Sequence, residues 1–467
     1  MSLSSVVDPP ALKSSKRREG ASSPGAVDLA YEPGIPIFGS ALEALKDPLR
    51  LFQHALRDKA IARFRFVYLD YYVVNDPAAI QHVLVGNVSN YTKSRNYAGL
   101  KAVLGNGLLT SEGDHWKKQR RLAQPAFHRD KLRGFAETMT SCTMAMCDRW
   151  AAGGATELEL HEEMMRVTFR IVGLTLLSKD FDGEARAVGE AMNVALTWAN
   201  EYAEAFVRVP PWVPTPANVR FKRAKARLHE LVLKAIAERR ESGQERDDLL
   251  GMLMAAKDEV TGEPMSDAEL VDELLTLVLA GHETTANALT FALHQLAKHP
   301  DLRAAAEAEV DTVLGGRPPA LEDVKRLETI RCVVEETMRL YPPAWVFERQ
   351  ARGEDVVGGV RIRKGAIIGI SPFALHRNPT LFRDADTFDP ERMRDKTKIG
   401  KYDYLPFGAG PRFCIGNAFA LMEMQIVLAV VLARFRVNMD TNGSLALDPA
   451  TTLRPKERLP IRLEART

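Results

Sequence analysis

Charge imbalance is what this chain of 467 residues most clearly lacks: 63 lysines and arginines face 61 aspartates and glutamates, a formal net charge of +2. So even a balance leaves no electrostatic footprint for nucleic acid. Cysteine is scarce. Cys142, Cys147, Cys332 and Cys414 are too few for a disulfide framework, which fits a reducing compartment. No CxxC pair occurs among them, so neither a zinc site nor a thioredoxin-like motif is expected. Cys142 and Cys147 lie five apart on a predicted helix and read as packing residues. There is no run of about 18 uninterrupted apolar residues, hence no expected transmembrane helix. Internal repeats are absent too. Residues 1–28, rich in Ser, Pro, Lys and Arg, lack the apolar core of a secretory signal; Asp8, Glu19 and the prolines speak against a transit peptide. They read as a disordered tail. No linker divides the remainder, so 29–467 is expected to form a single domain.

What is present is mostly helical periodicity. Candidate helices cover 48–59, 77–85, 113–124, 130–151, 158–177, 183–205, 217–242, 247–257, 267–298, 300–314 and 324–341. Two strand-like runs, 61–68 and 71–74, precede them, with Asp70 near the turn. Short β-branched runs alternate with Gly and Asp between 345 and 370 and predict a small sheet. A proline-rich meander, 388–407, has little periodicity; a last helix over 417–435 and a β-rich tail over 453–463 close the chain. The fold class is mainly α with small β-sheets.

Cys414 stands in the run Pro406-Phe407-Gly408-Ala409-Gly410-Pro411-Arg412-Phe413-Cys414-Ile415-Gly416. Three glycines around one thiol suggest a loop shaped to hold sulfur at a fixed point. The helix that follows puts Cys414 near a helix N-terminus, where orphan amides and the helix dipole favour thiolate over thiol. Such a sulfur could be a nucleophile, a redox centre or a metal ligand. A buried structural cysteine is the bland alternative.

The predicted helix 267–298 is apolar nearly all round and should be buried, spanning more than about 40 Å. Its middle, Ala280-Gly281-His282-Glu283-Thr284-Thr285, breaks local rules: Gly281 costs about 1 kcal/mol against alanine, and Glu283 brings a carboxylate into an apolar helix. Broken local rules in a core helix mark a functional or strained site. Alternatively, Thr284 bonds back to a helical carbonyl and Glu283 pairs with a basic neighbour. His282 reads as hydrogen-bonded structure rather than a ligand. Glu336 and Arg339 share one helical face.

These motifs together resemble the cytochrome P-450 monooxygenases, over about 33–463. Phe407, Gly410, Arg412, Cys414 and Gly416 fill every fixed position of that family's haem-ligand signature. The resemblance implies a triangular prism fold and haem b (iron protoporphyrin IX), with Cys414 as axial thiolate and sole protein ligand to the metal. Phe407, Gly408, Gly416 and Ala280 would contact the macrocycle. Trp116, Arg120, Arg349 and Arg412 would meet the propionates, for which guanidinium forks are suited. By the same resemblance Gly281 permits a local opening over the haem, Thr284 hydrogen-bonds dioxygen there, and Glu283 helps relay protons. Glu336, Arg339 and Arg392 would form a structural network behind the cysteine loop. Met393 departs mildly from the aromatic commoner in that motif. Lys117, Lys118 and Arg121 could form part of a basic surface for an acidic electron donor.

Three segments, 106–111, 261–264 and 280–285, look similar to the haem domain of bacterial fatty-acid hydroxylase flavocytochromes. On that pattern Leu109, Ala280, Ala344 and Thr451 would line the substrate pocket. Where the fatty-acid enzymes anchor a carboxylate with Arg and Tyr, this chain has Asp70, Tyr71 and Tyr72, with no matching Arg. A fatty acid, a terpenoid, a steroid and a polyketide-like molecule all stay open. No reductase-like sequence follows the last β segment and no membrane anchor precedes the first. The expectation is therefore a soluble, cytoplasmic, monomeric bacterial enzyme that uses O2. Its electrons would come from a separate ferredoxin or flavodoxin with an NAD(P)H reductase. The rivals are a peroxygenase or isomerase on the same scaffold, a haem sensor or carrier, and a haem-free structural protein.

Overall fold

A computed structural model describes residues 26–466 apart from 129–130, 154–157, 182, 184, 206, 245, 247 and 444. The expected tail falls outside the described residues up to 25. Its last part does not: Val27 donates its backbone N–H to Gly359 and accepts from Arg361, at 2.9 and 3.0 Å. The pairing fixes chain that composition alone reads as free.

The central helix runs over Asp267–Lys298. Its start is written locally, since Ser266 caps the Glu269 N–H and Glu269 caps back to Ser266. Its interior is packed on all sides. Leu289, Leu293 and Leu296 join helices Leu132–Ala152 and Asn417–Arg434 in one core. Leu270, Leu274 and Leu275 join helices Leu160–Leu177, Ala185–Glu204 and Pro216–Ser242 in another. Each such leucine contributes about 1.5–3 kcal/mol by leaving water, so this one helix couples two cores. The helix Asn417–Arg434 has the length and hydropathy of a membrane span, with mean hydropathy 1.5, although no uninterrupted apolar run marks it in the sequence. Its apolar residues are spent inside the protein: Ile426, Val427, Leu428 and Val431 are inaccessible to solvent.

The largest of the sheets has five strands. Ile61–Phe66 and Leu69–Val74 form a hairpin with Ile61 opposite Val74. Leu69–Val74 lies parallel to Ile367–Ile370, which pairs antiparallel with Phe347–Ala351; Tyr91–Thr92 closes that edge. The register sets Arg349 opposite Ile368.

Two helices differ from the sequence pattern. The predicted 324–341 is split into Leu321–Val324 and Glu328–Leu340. The second piece starts where the Glu309 carboxylate accepts from the N–H groups of Thr329 and Ile330, a tertiary cap no local rule shows. A short helix, Ala98–Leu104, is obscured in the sequence by Gly99 inside it and Gly105 just after it. Gly105 ends it at φ 67°, and a Cβ on Gly99 would come within 2.1 Å of the Ala199 carbonyl oxygen.

The side chains of Glu336 and Arg339 are fully buried. Arg339 donates to both Glu336 oxygens at 2.8 Å, and to the carbonyls of His376 and Ala385 at 2.6 Å and of Thr387 at 3.0 Å. Arg392 reaches the same carboxylate at 2.9 Å. The network thus pins the helix Glu328–Leu340 to the meander behind the cysteine loop. His376 extends it, bridging the Arg339 carbonyl and the Leu405 N–H at 3.1 and 2.8 Å. It stays neutral, because burial pushes its pKa down to about 3.

Candidate active site

A cavity of about 630 Å3 lies under the middle of the central helix, with mostly apolar walls. Its floor is the cysteine loop. Gly408 and Gly410 both have φ 70°, in the left-handed region, and a Cβ on Gly410 would meet the Leu84 carbonyl oxygen at 2.4 Å. The Cys414 N–H donates to the Phe407 carbonyl at 3.0 Å, closing the loop. Gly416, at φ −90°, caps the following helix. The sulfur sits deep in the protein yet is accessible, because it faces the cavity rather than packed atoms. Helix N-terminus and sulfur do not by themselves make a thiolate. Burial raises the Cys414 pKa, and a Gly416 backbone hydrogen bond and Arg120 offset this only in part. A thiol held in so dry a place ionises when a metal ion replaces its proton. The other three cysteines are buried in packing, and burial pushes the Cys147 thiol up to about 12.

Six cationic side chains line the same cavity, among them Lys93, Arg120, Arg349 and Arg412. Arg412 donates to Glu112 at 2.7 Å and to the Ser111 carbonyl at 2.9 Å, and lies 3.9 Å over the Trp116 ring. Burial, joined by the charge of Arg349 and opposed in part by Glu112, lowers its pKa to about 10. Arg120 donates to the Phe413 carbonyl at 2.9 Å; Arg349 donates to the Glu348 carbonyl at 2.9 Å. Lys93 is held well below its ordinary value, first by burial and then by Arg349 and Arg412. Nothing in the sequence pattern marks Lys93. These cations outnumber the one carboxylate, Glu112, that pairs among them. A flat apolar group bearing two carboxylates, as haem does, fits both the walls and this excess positive charge.

The roof is built from Ala280, Gly281, Glu283 and Thr284. The helix passes through Gly281 without the local opening the resemblance implies. Here Gly281 makes room for a neighbour instead: a Cβ would stand 3.3 Å from Val172. Thr284 donates to the Ala280 carbonyl at 2.7 Å, the back-bond considered as an alternative from sequence. Its oxygen lone pairs stay free on the cavity side. Glu283 pairs with no basic side chain among the described residues. It accepts from Thr452 at 2.6 Å; Thr452 accepts from Asn287 at 3.1 Å, and Asn287 meets His161 at 2.8 Å. With Glu283 as carboxylate the polarity of this chain is fixed. Thr452 must donate, so Asn287 presents its NH2, and its carbonyl oxygen faces a His161 that carries hydrogen on Nε2. His282 points elsewhere, edge-on to Phe169, with burial lowering its pKa to about 3.

Leu109, Ala344 and Thr451 also lie in the cavity wall, as do Phe407, Gly408 and Gly416. Leu109 is held there by a loop clamped to the central helix. Asp272 accepts from the Asn106 N–H at 2.7 Å, and Glu273 from the Leu108 N–H at 2.9 Å. Burial pushes the Glu273 pKa up to about 8. In the first hairpin, Asp70 pairs with Arg63 at 2.9 Å and Tyr71 donates to Glu348 at 2.8 Å, so both are engaged within the protein. The basic surface expected at Lys117, Lys118 and Arg121 is neutralised. Their partners are Asp114, Glu269 and Asp258, at 2.8, 3.1 and 2.8 Å.

The family described as Cytochrome P450 matches residues 30–460. The chain is 36% identical to "Cyclooctatin synthase" of Streptomyces melanosporofaciens, over 91% of this chain and 92% of that protein. It is 34% identical to "Cyclooctat-9-en-7-ol 5-monooxygenase" of the same organism, over 87% and 88%. To "Pentalenene oxygenase" of Streptomyces avermitilis it is 32% identical, over 93% and 97%.

Proposed function

The chain belongs to the cytochrome P450 family of haem-thiolate monooxygenases, and we propose that it inserts one oxygen atom from O2 into a cyclic terpenoid, with Cys414 as the residue whose sulfur would hold the haem iron. The observation that carries this is the cavity itself, with a loop-held sulfur in its floor, a hydroxyl–carboxylate pair in its roof and apolar walls between. The terpenoid class is favoured by the three relatives' names, each of which refers to a cyclic hydrocarbon skeleton.

Bound haem supplies the oxygen activation and atom-transfer chemistry. The protein's own residues do the rest. Cys414 presents its sulfur from a loop that cannot relax. Lys93, Arg120, Arg349 and Arg412, with Trp116 stacked on the last, would hold the carboxylate edge of the cofactor. Thr284 keeps its hydroxyl hydrogen on the Ala280 carbonyl and offers an acceptor to the cavity. Glu283, steadied by Thr452, moves protons into a pocket that excludes bulk water. Leu109, Ala344 and Thr451 bound the space left for substrate. Electrons come from a separate ferredoxin or flavodoxin served by an NAD(P)H reductase, as the family membership suggests.

The test is a reconstituted turnover. Haem-loaded protein, a ferredoxin, its reductase, NAD(P)H and a cyclic terpene or terpene alcohol are expected to give a product heavier by one oxygen, labelled when 18O2 is used. Label taken from water, or equal turnover with peroxide and no reductant, would contradict the reading.

A further inference from the structure

The sequence offers no arginine where fatty-acid enzymes hold a carboxylate, but the structure places one in the cavity wall from another direction. Arg208 follows the helix Ala185–Glu204 and lines the cavity beside Arg95, Asn96 and Asn200. Its guanidinium is built in rather than loose. One terminal nitrogen donates to the Arg95 carbonyl at 2.9 Å; the other donates to Asn96 Oδ1 at 2.9 Å and to the Ala203 carbonyl at 2.8 Å. The Tyr202 ring lies 5.7 Å from its central carbon.

Two features of this arginine go beyond tying segments together. All three acceptors are neutral, and among the described residues no carboxylate pairs with it. Burial first, then the charge of Arg95, lowers the Arg208 pKa, and the Glu348 carboxylate beyond Asn96 offsets only part of this. Its Nε–H, moreover, is buried with no acceptor. Native proteins rarely leave a charged donor so placed without a partner. The walls around it are mostly apolar, and the neighbouring polar groups are taken: Asn96 also binds Glu348, and Asn200 donates to Glu204 at 2.9 Å. Nε itself is closed off, but Nη1 carries a second N–H beyond its bond to Arg95, and an acceptor atom on a ligand in the cavity would meet the cation there.

Building on the terpenoid reading, we infer that Arg208 anchors an oxygen already present on the substrate, as a hydroxyl, carbonyl or carboxylate. The enzyme then acts after an earlier step that places oxygen on the parent hydrocarbon, by water capture for a hydroxyl or by oxidation for a carbonyl or carboxylate. Burying a charge-assisted hydrogen bond to such an oxygen discriminates against the bare hydrocarbon, which leaves the donor unpaired.

Three diterpenes of one carbon skeleton make the test: abietadiene, abietadienol and abietic acid. Each is titrated into the haem-loaded enzyme and its Arg208→Leu and Arg208→Lys variants, following the substrate-induced change in the haem absorption band. The wild type is expected to bind the alcohol, the acid or both at least about tenfold more tightly than the hydrocarbon. Arg208→Leu should remove that preference while leaving the hydrocarbon's affinity within about twofold. Preference for the acid alone, kept by Arg208→Lys, identifies a carboxylate; preference for the alcohol identifies a neutral oxygen. Equal affinities in the wild type overturn the inference. So does a loss in Arg208→Leu that is the same for all three compounds, which would mark a shaping role, and so does failure of all three to bind. Turnover separates the two readings: products from all three at equal affinity sink the anchor alone, whereas no oxygenated product from any sinks the terpenoid reading.

Discussion

Arg339→Leu is expected to leave no haem-loaded protein. Glu336 would lose its closest partner while remaining fully buried, and breaking a buried pair in this way costs about 3–5 kcal/mol. The carbonyls of His376, Ala385 and Thr387 would lose their donor at the same time, at about 1–3 kcal/mol for each that stays dry. The total reaches the whole stability of an ordinary domain, about 5–15 kcal/mol. The damage lies on the path to the site, since His376 links the Arg339 carbonyl to Leu405, just ahead of the cysteine loop. Arg392→Lys tests the same network more gently. Arg392 is partly exposed and contributes one of the contacts to Glu336, so this variant should fold and bind haem with a lowered melting temperature. Soluble yield and haem content of both variants decide the matter. An Arg339→Leu protein that binds haem and melts within a few degrees of wild type would show the triad to be dispensable.

Much of the site could be read from the sequence because its signals are local. Gly408 and Gly410 are glycines because the loop needs positive φ, and Cys414 follows at fixed spacing. Glu283 and Thr284 stood out as polar residues in a helix otherwise built for burial. Glu336 and Arg339 were one helical turn apart. The rest depends on tertiary meetings. Thr452 is 169 residues from Glu283, and Asn287 is 126 from His161. Each is an ordinary polar residue until the fold brings them together. Lys93 and Arg208 are unremarkable as letters, and only the cavity wall gives them meaning. Gly281 was misread because the same residue serves a helix that opens and a helix that must let a neighbour close in.

Glu283→Gln is expected to lower product formation by about 100-fold, the lower end of the range for losing a positioned proton donor or base. Gln keeps the size and the contact with Thr452 but cannot carry the proton. Oxygen and NAD(P)H should still be consumed, with reducing equivalents appearing as hydrogen peroxide or water. Thr284→Ala should uncouple in the same sense, because it removes the acceptor that faces the cavity. Thr452→Val is the sharper probe. It takes away the O–H that holds Glu283 at 2.6 Å, without touching the cavity's cation cluster. About a tenfold loss of coupling is expected, with affinity for substrate unchanged and recovery in Thr452→Ser. The quantity to measure is product formed per NAD(P)H. Full coupling in Glu283→Gln would remove Glu283 from the proton path, and full coupling in Thr452→Val would make its hydrogen bond incidental.

All of these expectations depend on one sulfur. The most direct measurement is the absorption spectrum of the dithionite-reduced, haem-loaded protein under carbon monoxide, taken for wild type and for Cys414→His. Wild type should show the strongly red-shifted Soret band that a trans thiolate imposes; the histidine variant should hold haem and show the shorter-wavelength band of nitrogen ligation. A folded, haem-loaded wild type lacking the red-shifted band, or a Cys414→His protein that keeps it, would contradict the account.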